Sequence, residues 1–135
     1  MPNTYGQYKT DSTRERDGVV LDLGDVGKFK LARAGGANTQ FQKRLMALSK
    51  PHRRAIQTGT IDPKTADRLL VETYVDTVLL GWEGVTGEDG NPLPYSKENA
   101  VKLFTDLPDL FKDVRETAED MSLFRQDITE SDAGN

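Results

Sequence analysis

The sequence predicts a mainly helical α+β fold, with an N-terminal β-hairpin at 18–33 and a small helical domain of about four to five helices around a central helix at 63–80. Alternation of period two indicates the hairpin, one long helical periodicity indicates the central helix, and capped amphipathic segments indicate the other helices. A chain of 135 residues, 36% of them hydrophobic, fits one domain. We expect that domain at 18–126, between structureless polar segments at 1–17 and 127–135.

The predicted hairpin has strands at 18–24 and 28–33, joined by a turn that contains two glycines. Apolar residues alternate along both strands: Val19, Leu21, Leu23, Phe29 and Leu31. Because an isolated hairpin is only marginally stable in water, we expect it to pack on helices or to pair with further strands.

The helical part, at 38–126, begins with a short helix. Asn38 is a suitable N-cap, and Phe41, Leu45 and Leu48 form an apolar stripe at helical spacing. This helix should stop before Pro51, because the residue before a proline avoids the helical conformation. A further helical turn or two is predicted between Pro51 and Gln57.

The central helix has a clear beginning. Asp62 is a good N-cap, Pro63 suits the first helical position, and Gly81 offers an end. Two neighbouring i, i+4 rows along it are apolar: Leu70, Tyr74 and Val78, then Val71, Val75 and Leu79. A helix that is apolar over most of its circumference is normally covered on several sides, so we place it at the centre of the domain.

A glycine- and proline-rich stretch follows, and it predicts a compact packed loop rather than a helix. The residues expected to shape this structural loop are Trp82, Gly90, Pro92 and Tyr95. Ser96 then caps a helix, and Pro108 starts the last one. Its predicted apolar stripe is Leu107, Leu110, Phe111, Val114, Ala118, Met121 and Phe124, with Leu123 pointing away from it.

The charge of the chain is strongly asymmetric. Its net charge is −4, but residues 28–61 carry about +8 with no acidic residue, and residues 62–135 carry about −10. The candidate residues for partner binding or self-association are Lys43, Arg44, Lys50, Arg53, Arg54 and, as an exposed apolar residue, Leu123. The basic residues could bind phosphate, an acidic protein surface such as that of a second copy, or the acidic helices of the same chain.

Catalytic and cofactor sites are not expected. There is no cysteine, and His52 is the single histidine, so neither a thiolate zinc site nor a two-histidine metal site can form within one chain. No glycine-rich phosphate-binding motif is present. We therefore expect no enzyme activity, no metal and no cofactor. Without a long apolar run or a signal peptide, we expect a soluble cytoplasmic protein with no membrane partner.

The run from Gly81 to Phe124 resembles the C-terminal half of tail assembly chaperones from long-tailed, siphovirus-type bacteriophages. The matching features are Trp82 after a long helix, a D-G-x-P-L-P-Y turn at Asp89 to Tyr95, Ser96 opening a helix, Leu107-Pro108-Asp109-Leu110, and Phe124. With the β-like segment, the basic helix and Asp62-Pro63 before it, the resemblance covers about residues 18–125.

The resemblance implies a non-enzymatic protein that coats the phage tape measure protein, keeps it soluble and helps to recruit the tail tube protein. Such a protein acts in the host cytoplasm and is absent from the mature virion. Two other classes remain open: a structural subunit of a tail or connector, and a nucleic-acid-binding regulator that uses the basic 28–61 segment. The negative net charge argues against the regulator.

Overall fold

The computed structural model describes residues 3–126 and confirms a mainly helical α+β fold. The helices are Thr4–Tyr8 (α1), Ser12–Asp17 (α2), Thr39–Ser49 (α3), Arg53–Gln57 (α4), Pro63–Thr77 (α5), Lys97–Asp106 (α6) and Pro108–Glu119 (α7). The strands are Val19–Asp22 (β1), Lys28–Leu31 (β2) and Leu79–Glu83 (β3). Short 3₁₀ turns lie at Gly24–Val26, Lys50–His52 and Met121–Phe124. The acidic tail predicted at 127–135 lies outside the described residues.

The three strands form one antiparallel sheet in the order β1-β2-β3, so the predicted hairpin is confirmed and has gained a third strand. Phe29 and Leu31 of the middle strand are fully buried. Leu21 pairs with Phe29 on one side, and Trp82 pairs with Phe29 on the other. The rings of Phe29 and Trp82 meet edge to face, with centroids 6.1 Å apart. The third strand thus supplies the pairing that a lone hairpin lacks.

Helix α5 lies at the centre of the domain, in contact with α3, α6 and β3. It begins at Pro63 after Asp62, as predicted, but the prediction that it continues to residue 80 is wrong. The chain leaves the helix after Thr77, and Leu79 to Glu83 pairs with β2 instead. An i, i+4 apolar pattern does not distinguish a helix end from a strand. Here, pairing with the buried strand β2 makes this segment a strand.

Asn38 precedes α3, but its side chain makes no capping hydrogen bond. Instead, its Nδ2 donates to the carbonyl oxygens of Arg33 (2.8 Å) and Thr77 (2.9 Å). The residue is 8% exposed. It therefore joins the segment after β2 to the end of α5, because it satisfies two backbone acceptors that the fold brings together there.

The last predicted helix is also shorter than expected. Helix α7 ends at Glu119, because the Asp120 side chain accepts hydrogen bonds from the backbone N–H and the hydroxyl of Ser122 and so caps a new turn. Those hydrogen bonds also lower the pKa of Asp120. Phe124 is still buried, as the stripe predicts, whereas Leu107 at the start of the stripe is 48% exposed.

Residues 3–17 are not structureless, in contrast to the prediction for 1–17. Asn3 and Asp11 cap α1 and α2 through side-chain hydrogen bonds. Glu15 of α2 is buried, and it accepts from Arg33 Nη1 at 2.5 Å and from Thr10 Oγ1 at 2.9 Å. Because this ion pair and these caps involve polar atoms, apolar periodicity gave no sign of them.

Candidate interaction surface

The basic residues predicted as a partner-binding site lie on one continuous stretch of helical residues. Helix α3, the 3₁₀ turn and α4 follow one another without a break, and we call residues 39–57 the basic arm. Lys43, Lys50 and Arg54 recur at near-helical spacing along it, and Arg53 lies beside them. All four side chains are exposed. The structure therefore exposes four of the candidate cations along one continuous helical segment.

Arg44 is the exception among the arm cations. Its Nε lies 2.8 Å from Asp76 Oδ2 on α5, and Lys97 Nζ approaches the other oxygen of that carboxylate at 3.3 Å. By contrast, Lys43, Lys50, Arg53 and Arg54 make no ion pair with any residue between 3 and 126. Within that part of the chain, the arm is thus neutralised only where it joins α5.

Two exposed apolar side chains lie on the same arm as these cations. Met46 is 72% exposed and Ile56 is 45% exposed. The opposite side of the arm is anchored: Phe41 packs edge to face on Tyr74 of α5, with ring centroids 5.4 Å apart. Neither Met46 nor Ile56 is among the candidate residues predicted from the sequence. The sequence did hold one indication that Met46 is exposed, because Met46 lies outside the apolar stripe of Phe41, Leu45 and Leu48.

Leu123, the apolar candidate, is located elsewhere. It lies on the 3₁₀ turn Met121–Phe124, which packs against α2, and it is 41% exposed. Its neighbour Phe124 is fully buried and anchors the turn. Leu123 is therefore a second exposed apolar site, separate from the basic arm.

The outer face of α7 is the acidic counterpart of the arm. Asp109, Asp113, Glu116 and Glu119 are all exposed. One weak ion pair on this face joins Lys112 and Glu116 at 3.9 Å. The surface of the described chain therefore presents separate positive and negative regions, which suits binding to oppositely charged partners.

The structural loop is packed as a unit beside the sheet. Trp82 Nε1 donates to the Leu93 carbonyl at 2.9 Å, and the Tyr95 hydroxyl donates to the Leu79 carbonyl at 3.1 Å. The rings of Trp82 and Tyr95 meet edge to face, with centroids 5.2 Å apart. Gly90 has a φ of +78°, and Pro92 pairs with Thr86 in an isolated bridge. These four predicted loop residues hold the chain between β3 and α6.

Metal ligands do not cluster within residues 3–126: no group of three or more His, Cys, Asp or Glu side chains there could hold an ion. The helices in that range are also too short or too polar to cross a bilayer. The basic arm, with its two exposed apolar residues, is therefore the main candidate binding surface of the described residues.

Comparison with known proteins gives one family assignment. Residues 36–135 match the family model described as YdaY prophage protein. No curated protein and no solved structure gives a significant match. The matched range contains the basic arm, the central helix and both C-terminal helices. Because it covers well over half of the chain, the protein is phage-derived and belongs to the YdaY prophage protein family.

Proposed function

We propose that this prophage protein is a tail assembly chaperone, a non-enzymatic protein that binds the tape measure protein and keeps it soluble during tail assembly. It also helps to recruit the tail tube protein. It acts in the host cytoplasm and is absent from the finished virion. Membership of a prophage family supports a role in phage biology, and the resemblance across residues 81–124 supports this particular role.

The observation that carries the proposal is the basic arm. A long helical partner with exposed apolar residues needs a surface that offers both apolar contacts and charge. Met46 and Ile56 provide apolar contacts, and the unpaired cations around them favour acidic groups on the partner. Each such contact is small and weak. Many copies bound along one long chain make the coverage effective through avidity.

Co-expression with the tape measure protein of the same prophage tests this proposal. Met46→Asp on the arm and Leu123→Asp on the last turn should each reduce the soluble fraction of the tape measure protein, because a charge replaces an exposed apolar contact. Neither change touches the buried core, so the variants should fold normally. Val26→Asp is the matched control, because Val26 is 50% exposed on the turn between β1 and β2.

The opposite charges of the arm and of α7 also lead us to propose self-association. Exposed ion pairs are screened by salt, so the oligomer seen by sedimentation velocity should dissociate as salt increases. At low salt, where the wild-type oligomer is most abundant, the double variant Arg53→Glu with Arg54→Glu should form less of it. Lys9→Glu with Arg16→Glu is the control, because it changes the net charge equally at exposed residues outside the arm. An unchanged mass distribution in the arm variant would refute this contact.

The same unpaired cations favour one alternative, a regulator that binds nucleic acid. A phosphate-binding arm would retain the protein on DNA with an affinity that falls steeply as salt rises. Under the chaperone proposal, DNA retention at physiological salt is absent, and the soluble tape measure fraction depends on Met46. A structural tail subunit would instead be present in purified virions.

A further inference from the structure

A second surface feature lies away from the basic arm. A cavity of about 750 Å³ opens between the first half of α5, the end of α6 and the first half of α7. Its lining includes the apolar side chains of Leu70, Val71, Phe104 and Phe111. The rings of Phe104 and Phe111 lie 5.2 Å apart. A cavity of this size has room for more than one side chain of a bound partner.

Arg115 lines this cavity and is incompletely satisfied. Its guanidinium lies over the Phe111 ring, 5.1 Å from the centroid. Its Nε is shielded from solvent and has no hydrogen-bond partner in residues 3–126. It also makes no ion pair with any of those residues. A buried donor without an acceptor is costly, and a carboxylate that accepts from Nε as well as from a terminal nitrogen of the guanidinium would remove that cost.

Two further cations on α5 line the same cavity. Lys64 has no ion pair within the described range, and Arg68 has only a long contact of 3.8 Å with Glu72. Both side chains are exposed. Asp62 and Asp67 also line the cavity, so its lining carries three cations and two carboxylates. Asp62 immediately precedes α5 and Asp67 lies in its first turns, whereas Arg115 lies across the cavity on α7.

We propose that this cavity binds a segment of a partner polypeptide that places an acidic side chain next to an apolar one. The carboxylate binds the forked guanidinium of Arg115, with Arg68 adding charge at the rim. The apolar neighbour packs on Phe104 and Phe111. A peptide fits better than a small acid, because the open cavity is bordered by three helices and exceeds the volume of one side chain. This inference does not depend on a role in tail assembly.

Amide chemical shifts of the ¹⁵N-labelled full chain report on this binding. The probe is a blocked five-residue peptide with one glutamate between leucines, and the control is the same peptide with glutamine. We expect the glutamate peptide to shift amides of α5, α6 and α7 that line the cavity. The glutamine peptide should bind at least about ten-fold more weakly, because it cannot form a charge-assisted pair.

Two variants separate binding from folding. Arg115→Lys should weaken binding of the glutamate peptide by about ten-fold, because lysine keeps the charge but lacks the planar fork of the guanidinium. Arg68→Gln affects a side chain that is 71% exposed, so it should weaken binding without affecting stability. Equal binding of both peptides, or unchanged binding in both variants, would overturn the proposal. Binding of 4-phenylbutyrate but of neither peptide would overturn the peptide assignment.

Discussion

Replacement of Tyr74 by alanine should lower the free energy of unfolding by about 3–5 kcal/mol, as expected for a large core aromatic. Tyr74 is 1% exposed on the central helix. Its ring packs edge to face on Phe41 of α3 and on Phe111 of α7, at 5.4 and 5.3 Å between centroids. One truncation therefore removes contacts among three helices. Urea denaturation followed by circular dichroism measures the loss.

Tyr74→Phe is the matched control. It keeps both ring contacts and loses only the hydrogen bond from the hydroxyl to Glu119 Oε1, 3.1 Å long, so it should cost about 0.5–1.5 kcal/mol. Burial, and then the Glu119 carboxylate, raise the pKa of Tyr74. Stability should accordingly fall above about pH 10, where tyrosine ionises in the unfolded chain only. Equal losses for the alanine and phenylalanine variants would contradict the role assigned to ring packing.

Replacement of Gly36 by alanine should also be destabilising, with an expected loss of about 2–5 kcal/mol, because it combines backbone strain with displacement of the part-buried ion pair of Glu15 with Arg33. A Cβ at Gly36 would overlap the Glu15 carboxylate, which is held by Arg33 and Thr10. The glycine has a φ of +55°, which adds backbone strain for any other residue. Release of Glu15 should detach α2, and faster hydrogen exchange at the α2 amides measures that detachment.

The control for Gly36 is Gly24→Ala. Gly24 has a similar φ of +63°, but a Cβ at this position would have no other atom within 4 Å, so only backbone strain of about 1–2 kcal/mol is expected. A second test combines Gly36→Ala with Glu15→Ala. In that background the cost of Gly36→Ala should approach the cost of Gly24→Ala, because the Arg33 guanidinium, 2.8 Å from the added Cβ, is then free to move. Similar losses at Gly24 and Gly36 in the wild-type background would contradict the steric explanation.

Local patterns in the sequence predicted much of the fold. Alternation indicated the hairpin, and Asp62 with Pro63 indicated the start of the central helix. Ser96 caps α6 through the backbone N–H of Asn99, as its position indicates. These features depend on residues within one or two turns of each other. Their signals can therefore be seen without knowledge of the fold.

Features that depend on distant residues were missed. Leu79 to Glu83 forms a strand because it pairs with β2, about fifty residues earlier in the chain. Helix α2 is fixed by the ion pair of Glu15 with Arg33, which no periodic pattern reveals. Caps at Asn3 and Asp11 were the local signals that could have indicated the N-terminal helices.

The candidate surface was predictable only in part. The basic composition of the arm is evident from the sequence, but Arg44 is neutralised by Asp76, 32 residues away, and only the fold shows this. The exposure of Met46 and Ile56 likewise depends on which face of the arm meets α5. Residues around Arg115 come from three helices, so their convergence on one cavity required the tertiary structure.

The proposed chaperone function depends most directly on one quantity, the soluble fraction of the tape measure protein in cells that do or do not co-express this chain. We predict that the tape measure protein is largely insoluble alone and largely soluble with the wild-type chain, because the exposed apolar surface of its helices is then covered. Arg53→Glu with Arg54→Glu should give an intermediate fraction. Equal solubility of the tape measure protein with and without this chain would contradict the proposed function.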